Sequence, residues 1–347
     1  MKPKSHIFRF ILLVLLAAMP VFIVVGVYAY LDPFRVIHNH GQYYLPDLSV
    51  RFATNRSYIS TDNFNRNYSR YHYDSFIFGS SKSLYYRAAD WQRHLPKGAS
   101  IYHFDASNET LEGILLKMRY INSKGLRIKN ALLVIDEDLL NSHPIYSITY
   151  APDPHLTPEC DAFRFHQLFF DAFRNSEFFT SYIGAFTDNY QKLIEKGFVT
   201  TDVPHLNIKT NEEFYPHQDS LIAYAPSQYY TASRIASFSH KRPIYVHYVT
   251  ITGTALQTLK DIKSILDANS TNFIIIIPPI YHSEPLNFFD VQSLSSIFGS
   301  DKVFDFSGCT RISNDMHNFY DSGSHAIPSV CKFFMDSAYK APQHQAF

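Results

Sequence analysis

"FIFGSSKS", residues 76–83, is the stretch that decides the fold, because an apolar run passes at once into a glycine and a cluster of hydroxyls. A short apolar run without alternation is typical of a strand buried on both faces. Parallel sheets bind ligands outside the carboxyl ends of their strands, and Gly79-Ser80-Ser81 stands at such an end. The stretch predicts either a serine helix cap or a serine nucleophile at the mouth of a sheet.

The same kind of run recurs along the chain, and helical patterns separate the runs. The predicted strands are Tyr73–Phe78, Ala99–Phe104, Asn130–Ile135, Phe273–Ile277 and Lys302–Phe306. Apolar residues at helical spacing lie within 111–118, 256–266 and 327–334. Strands that alternate with helices predict an α/β fold, here a three-layer, doubly wound parallel sheet with right-handed crossovers.

The N-terminus predicts a membrane anchor. The uncharged run Phe10–Leu31 exceeds the length of about 20 apolar residues that a helix needs to cross a bilayer. Lys2, Lys4 and Arg9 precede it, so the positive-inside rule keeps that end in the cytoplasm and sends the rest outside. A cleavable signal peptide ending near Val27-Tyr28-Ala29, or a buried soluble helix, is the alternative.

The predicted organisation therefore has four parts and one insertion. We expect a cytoplasmic tail at 1–9, a transmembrane anchor at 10–31, a stalk and approach at 32–72, and the α/β domain at 73–347. The strand and helix rhythm breaks at 141–245, which predicts an aromatic-rich helical insertion. Its aromatic stripe favours packing over ligand stacking; the stripe consists of Phe178, Tyr182, Phe186, Tyr190 and Leu193.

Composition narrows the function classes. Lys plus Arg equals Asp plus Glu, so the chain lacks the basic field of a nucleic-acid binder. Cys160, Cys309 and Cys331 form no C-x-x-C, and Cys309 and Cys331 are expected either to pair or to remain free thiols. His38-x-His40 has no carboxylate or Cys nearby to complete a ligand set. We predict no metal and no cofactor.

A second candidate for chemistry lies near the C-terminus. "NFYDSGSHAIP", residues 318–328, places Asp321 and His325 in a loop after the last strand. A serine hydroxyl needs a base to take its proton, and that base works best when a carboxylate orients it. Asp321 and His325 can supply both functions to Ser81 at one edge of the sheet. A solvated turn with an Asp cap is the alternative.

Together these motifs resemble the SGNH/GDSL hydrolase superfamily. Gly79-Ser80-Ser81 after the first strand, and an Asp-His pair before the last helix, carry the resemblance. More closely, the chain is similar to the membrane-anchored bacterial branch that includes the D-alanine transfer protein of teichoic acid. That branch also has an N-terminal anchor, a "DPF"-like segment, here Asp32-Pro33-Phe34, and a "FYD…H" box.

The resemblance implies roles for particular residues. Ser81 takes the place of the nucleophile, His325 that of the base and Asp321 that of the orienting acid, with the Ser81 N–H and Asn108 as oxyanion donors. Three departures accompany it. Asp321 and His325 have three intervening residues instead of two, Asn108 stands in place of a glycine, and "LLVIDEDLL" lacks the usual asparagine. Asp136 and Asp138 follow that strand instead.

The resemblance also implies a function and a location. We expect a serine esterase or O-acyltransferase that acts on a cell-envelope glycan or polymer, outside the cytoplasmic membrane of a bacterium. The expected partners are the bilayer, through residues 10–31, and a multispanning membrane acyltransferase. The alternative is a catalytically inert SGNH-like module that binds glycan or scaffolds a membrane acylation complex, and a surface protein with no site is the third interpretation.

Overall fold

A computed structural model describes residues 3–39, 43–44, 51–52, 55–156, 162–185, 195, 199–200, 204–238 and 248–340. The strands in these residues are β1 (Arg51–Phe52), β2 (Ser75–Gly79), β3 (Ile101–His103), β4 (Asn130–Val134), β5 (Val199–Thr200), β6 (His205–Asn207), β7 (Glu212–Phe214), β8 (Asn272–Ile277) and β9 (Val303–Asp305). The α-helices are α1 (Pro3–Leu31), α2 (Arg56–Tyr71), α3 (Ala88–Trp91), α4 (Leu111–Ser123), α5 (Glu137–Asn141), α6 (Ala162–Phe173), α7 (Ser176–Ala185), α8 (Pro216–Tyr224), α9 (Pro226–Tyr229), α10 (Ala232–Phe238), α11 (Gly253–Ala268), α12 (Phe288–Phe298), α13 (Thr310–Ser313) and α14 (Pro328–Lys340).

The chain folds into two compact units. Unit 1 comprises Met1–Thr54 and Asp161–Val203, and unit 2 comprises Asn55–Cys160 and Pro204–Phe347. The stretch predicted as one insertion at 141–245 is thus divided, because α6 and α7 belong to unit 1 whereas β6, β7 and α8 to α10 belong to unit 2.

Unit 2 is built on a five-stranded parallel sheet in the order β3-β2-β4-β8-β9. Each of the five predicted runs coincides with one of these strands, and their ends differ by at most two residues. The α/β fold with a parallel sheet is therefore confirmed. The chain leaves β2 for β3 on one side and then returns to β4 on the other, so β2 and β4 flank a crevice at their carboxyl ends.

Hydrophobic clusters cover both faces of this sheet. On one face, Phe76 and Phe78 of β2 join a cluster with residues of α2, α4, α11 and α12. On the other face, Ile77 joins a cluster with residues of α3 and α14. Successive side chains of a strand point to opposite faces, so an unbroken apolar run supplies both clusters.

Helix α2 lies within the residues predicted as a stalk. Asn55 caps it, accepting a hydrogen bond from the Tyr58 N–H at 2.9 Å, and Phe64 is fully buried in the sheet cluster. No helical period was visible because part of its buried face is polar, including Arg56 and Asn63, whose side chains are hydrogen-bonded within unit 2. The stretch 32–72 therefore includes a core helix.

Unit 1 contains the residues of the expected aromatic stripe. Phe178 and Tyr182 are buried and stack at a centroid distance of 5.7 Å, and Phe34 stacks on Phe178 at 5.0 Å. These contacts are packing contacts, as the spacing favoured. Asp32 of the "DPF" segment is buried, and its carboxylate accepts hydrogen bonds from the backbone N–H groups of residues 36–38. Phe186, Tyr190 and Leu193 lie outside the described residues.

Helix α1 is long and apolar enough to cross a membrane. Its residues His6–Leu31 have a mean hydropathy of 3.0, and its most apolar window is not buried within the protein. His38 Nε2 lies 2.5 Å from the Ala29 carbonyl oxygen. His40, its expected companion, lies outside the described residues. Within the part of the chain that the structure describes, His, Cys, Asp and Glu form no cluster of three suited to a metal ion.

Replacement of Phe64 by alanine tests the place of α2 in the core. Phe64 is fully buried and contacts the rings of Tyr73 and Phe104 at centroid distances of 6.1 and 5.1 Å. We expect Phe64→Ala to lower the free energy of unfolding by about 3–5 kcal/mol, measured by chemical denaturation in detergent. Tyr224→Ala, at a side chain that is 87% exposed, should change it by less than about 0.5 kcal/mol. Equal effects of the two changes would contradict a core role for α2.

Candidate active site

Gly79 ends β2 at the crevice, and a single helical turn, Ser81–Ser83, follows it. A side chain at Gly79 would bring its Cβ within 2.7 Å of the Ser83 Cβ and 3.0 Å of the Val134 carbonyl oxygen. Glycine is needed here because of this close approach. Ser80 is the helix cap, and its Oγ accepts from the Lys82 N–H at 3.3 Å. Of the two predicted roles, the helix cap therefore belongs to Ser80, and the neighbouring Ser81 is left available as a nucleophile.

The structure brings Ser81, His325 and Asp321 together. The Ser81 Oγ lies 2.9 Å from His325 Nε2, and His325 Nδ1 lies 2.9 Å from both carboxylate oxygens of Asp321. In this chain of contacts, the serine hydroxyl donates to Nε2 while the Nδ1–H donates to the carboxylate. Burial acts to raise the pKa of Asp321, but the hydrogen bond and charge of His325 outweigh it and lower that pKa below its ordinary value. Asp321 is thus an ionised acceptor at neutral pH.

A tight hairpin turn holds Asp321 and His325 despite the extra residue between them. The Tyr320 N–H donates to the His325 carbonyl at 2.8 Å, and the Gly323 N–H donates to Asp321 Oδ1 at 2.9 Å. Ser324 takes a left-handed conformation with φ 71°. The turn therefore absorbs the third intervening residue and leaves the imidazole beside the carboxylate.

Residues from the predicted insertion support this turn. The Tyr229 hydroxyl and Arg234 Nη1 donate to the Tyr320 carbonyl at 3.0 and 3.1 Å. Tyr85, which follows the Ser81 turn, stacks on Tyr320 at 4.3 Å and meets the His325 ring edge-on at 6.4 Å. Sequence reasoning missed Tyr229 and Arg234, because no local pattern marks a side chain that contacts a turn about 90 residues further along the chain.

The expected oxyanion donors border one cavity with the nucleophile. Ser81 and Asn108 both line a polar cavity of 530 Å³. Asn108 has a left-handed backbone with φ 52°, a conformation that glycine and asparagine tolerate better than other residues. Its side-chain oxygen lies 3.5 Å from Ser142 Oγ. Among the described residues, the Ser81 N–H makes no backbone hydrogen bond, so it can donate to a ligand.

The two carboxylates that follow β4, where the resemblance leads to the expectation of an asparagine, form ion pairs with Lys82. Asp136 caps α5 by accepting from the Leu139 N–H, and its two oxygens contact Ser80 Oγ at 3.1 Å and Lys82 Nζ at 3.3 Å. Lys82 Nζ also forms an ion pair with Asp138. Burial acts to lower the pKa of Lys82, but the two carboxylates raise it above its ordinary value. One cation therefore offsets one of the two negative charges of this carboxylate pair.

Cys309 and Cys331 are free thiols, so the disulfide between them is not formed.

No family model matches the chain, and no curated protein matches it.

Replacement of Gly323 tests whether the turn geometry matters. An alanine Cβ there would lie 2.9 Å from Asp321 Oδ1 and 3.3 Å from the His325 ring, so the methyl group would displace the pair. We expect Gly323→Ala to lower the rate at which Ser81 reacts with a fluorophosphonate probe by about 100-fold, since small misplacements have effects of that size. Its melting temperature should stay close to that of the wild type.

The matched control is Gly308→Ala. The new Cβ would make an ordinary contact of 3.6 Å with Pro285, so this variant should react like the wild type. An unchanged reaction rate in Gly323→Ala would show that the geometry of the turn is not needed for the reactivity of Ser81.

Proposed function

We propose that the protein carries out SGNH-type serine acyl-ester chemistry, as an esterase or an O-acyltransferase, through an acyl group held on Ser81. The observation that carries the proposal is the contact chain Ser81–His325–Asp321, with 2.9 Å at each step. The alternative, a solvated surface turn at Asp321 and His325, gives no reason for the His325 imidazole to lie between the Asp321 carboxylate and a serine that is 244 residues away in the sequence.

The proposed first step forms the acyl-enzyme. His325 Nε2 takes the hydroxyl proton while Ser81 Oγ bonds to the carbonyl carbon of the acyl donor, and the carbonyl oxygen becomes an oxyanion. The Ser81 N–H and Asn108 would donate to that oxyanion. The intermediate then collapses, the bond to the leaving alcohol breaks, and His325 returns the proton to the alcohol.

The second step releases the acyl group. A water molecule or an acceptor hydroxyl gives its proton to His325 Nε2 and attacks the acyl carbon, and Ser81 Oγ leaves with that proton. Hydrolysis and transfer differ only in which hydroxyl attacks. The proposed role of Asp321 in both steps is to hold the tautomer of His325 and to stabilise its protonated form.

The finer fold assignment is part of this proposal. The strand order β3-β2-β4-β8-β9 is the 2-1-3-4-5 order of doubly wound sheets, which supports a three-layer, flavodoxin-like or SGNH-like architecture. The left-handed backbone of Asn108 is compatible with a position that the superfamily fills with glycine. The Lys82 ion pairs reduce the net negative charge of Asp136 and Asp138, which lowers their repulsion of the proposed oxyanion.

The proposed substrate is a cell-envelope glycan or other polymer. The cavity beside Ser81 supports a hydroxyl-rich ligand, because it offers carboxylate, amide and hydroxyl groups together with the ring of Tyr150. The resemblance stated from the sequence adds a multispanning membrane acyltransferase as the proposed partner. The proposed location is the bacterial cytoplasmic membrane, with unit 2 on the periplasmic or outer side.

A second candidate function is a catalytically inert module that binds glycan or scaffolds a membrane acylation complex. The observation that favours it is Asp136, because an ionised carboxylate cannot donate to an oxyanion as the usual asparagine does. Loss of one oxyanion donor lowers the rate by about 100- to 1,000-fold, so a site without it is slow or inactive.

Fluorophosphonate labelling separates the two candidates. We expect the wild-type protein to be labelled and Ser81→Ala to remain unlabelled, because only a base-activated hydroxyl attacks the probe readily. Ser107→Ala is the matched control, since Ser107 lines the same cavity and should not affect labelling. Equal labelling of Ser81→Ala would overturn the proposal. An unlabelled, folded wild type that retains glycan would favour the binding module.

Reporter fusion tests the proposed topology. Alkaline phosphatase fused after Phe347 should be active, because it folds only outside the cytoplasm, where oxidation forms its disulfides. The protein should also stay in the membrane pellet after an alkaline wash. Replacement of Val24 by arginine within α1 should release it or block its export, since a charge at mid-span is costly. An inactive fusion on a membrane-bound protein would place unit 2 in the cytoplasm.

A further inference from the structure

We propose that Ser83 and His103 form a buried positioning pair that fixes the peptide between Ser80 and Ser81 and so aims the Ser81 N–H at the oxyanion. This inference rests on the proposed function. It concerns two residues that neither line the cavity nor belong to the Ser81–His325–Asp321 contacts, and it assigns them a role in the same reaction.

The pair contacts the peptide from its carbonyl side. Ser83 donates to the Ser80 carbonyl oxygen twice, through its N–H at 2.8 Å and through its Oγ at 2.7 Å. His103 Nε2 lies 3.0 Å from the same Oγ. Ser83 and His103 are fully buried, so no solvent competes for these contacts. The Ser80 carbonyl and the Ser81 N–H belong to one planar peptide, so holding the oxygen orients the N–H.

The single proton of the Ser83 hydroxyl fixes the direction of these hydrogen bonds. A carbonyl oxygen can only accept, so a contact of 2.7 Å between Ser83 Oγ and the Ser80 oxygen requires the hydroxyl proton to lie between them. His103 must then supply the proton of the second contact from Nε2. His103 is therefore the Nε2–H tautomer, and a chain of donors runs from His103 through Ser83 to the Ser80 carbonyl.

His103 stays neutral in this position. Burial lowers its pKa to about 4; Asp105 acts to raise that pKa, and Arg56, Arg87 and Lys117 act to lower it further. Its Nδ1 is buried and accepts no hydrogen bond from the described residues. An unsatisfied buried nitrogen destabilises a fold, so stability alone gives no reason to place a histidine here. An apolar side chain would fill the same space without that penalty.

The chain of donors should act on the oxyanion in two ways. It restricts rotation of the Ser80–Ser81 peptide plane, and it polarises the amide, since hydrogen bonds in series strengthen one another. This arrangement requires glycine at position 79, because the Cβ of any other residue would lie only 2.7 Å from Ser83 Cβ. The turn at the end of β2 thus combines the glycine that permits the close approach, the helix cap Ser80, the proposed nucleophile Ser81 and the positioning residue Ser83.

The test compares variants that remove a donor with one that retains it. Ser83→Ala removes the hydroxyl, His103→Leu removes the Nε2 donor, and His103→Gln keeps an amide N–H at a similar reach. Three quantities are measured on the full chain: the rate of phosphonylation by a fluorophosphonate at saturation, the ³¹P chemical shift of the adduct on Ser81, and the unfolding midpoint.

We expect Ser83→Ala and His103→Leu to lower the saturated rate by about 10-fold or more, a part of the effect of losing a whole oxyanion donor. Their half-saturating probe concentration should stay near that of the wild type, and the ³¹P shift should move because the phosphonyl oxygen loses hydrogen bonding. His103→Gln should restore both readouts. Variants that change only the unfolding midpoint, with the rate and the ³¹P shift unaltered, would overturn the proposal.

A readout without chemistry keeps the pair testable if the wild type is not labelled, a result that contradicts the proposed function alone. Labelling serine with ¹³C at the carbonyl and ¹⁵N at the amide selects consecutive serines, which in this chain are Ser80-Ser81 and Ser295-Ser296. Ser83→Ala should shift the Ser81 amide resonance and leave that of Ser296 in place. An unshifted Ser81 resonance would show that Ser83 does not hold this peptide.

Discussion

The contact between the Ser81 hydroxyl and the His325 imidazole, 2.9 Å long, is the interaction on which the rest of the site depends. The parallel sheet makes it, because parallel strands deliver their carboxyl ends to one edge however far apart they are in sequence. β2 ends at Gly79, two residues before Ser81, and the turn that carries the histidine follows β9, the last strand of the sheet. The hairpin at Asp321 and the hydrogen bonds to Tyr320 then hold the imidazole in place.

Buried charge is the second constraint on this edge of the sheet. Lys82 is buried and pairs with both Asp136 and Asp138, so its one positive charge offsets part of the negative charge beside a serine whose proposed reaction would create a further negative charge. Removing one member of a buried pair leaves an uncompensated charge, which is far more harmful than removing both. The lysine thus reduces the repulsion that the proposed oxyanion at Ser81 would meet from the two carboxylates.

The sequence predicted those parts of the molecule that depend on local pattern. The sheet strands follow from unbroken apolar runs, and Ser81 and His325 follow from their places after the first strand and before the last helix. Helix α2 could not be predicted, because polar residues such as Arg56 indicate a solvated segment when only the sequence is considered. In the folded chain Arg56 is buried and its side chain is paired with Asp105. Tyr229 and Arg234 were missed since their contact with the turn that carries Asp321 and His325 exists only in the folded chain.

The central claim is that His325 activates Ser81, and chemical rescue of His325→Ala tests it most directly. The measurement is the rate of Ser81 phosphonylation in this variant, with and without added imidazole. The account predicts a loss of about 1,000-fold or more without imidazole, and a recovery that rises with the concentration of the imidazole base. A variant that reacts as fast as the wild type, with no response to imidazole, would contradict it.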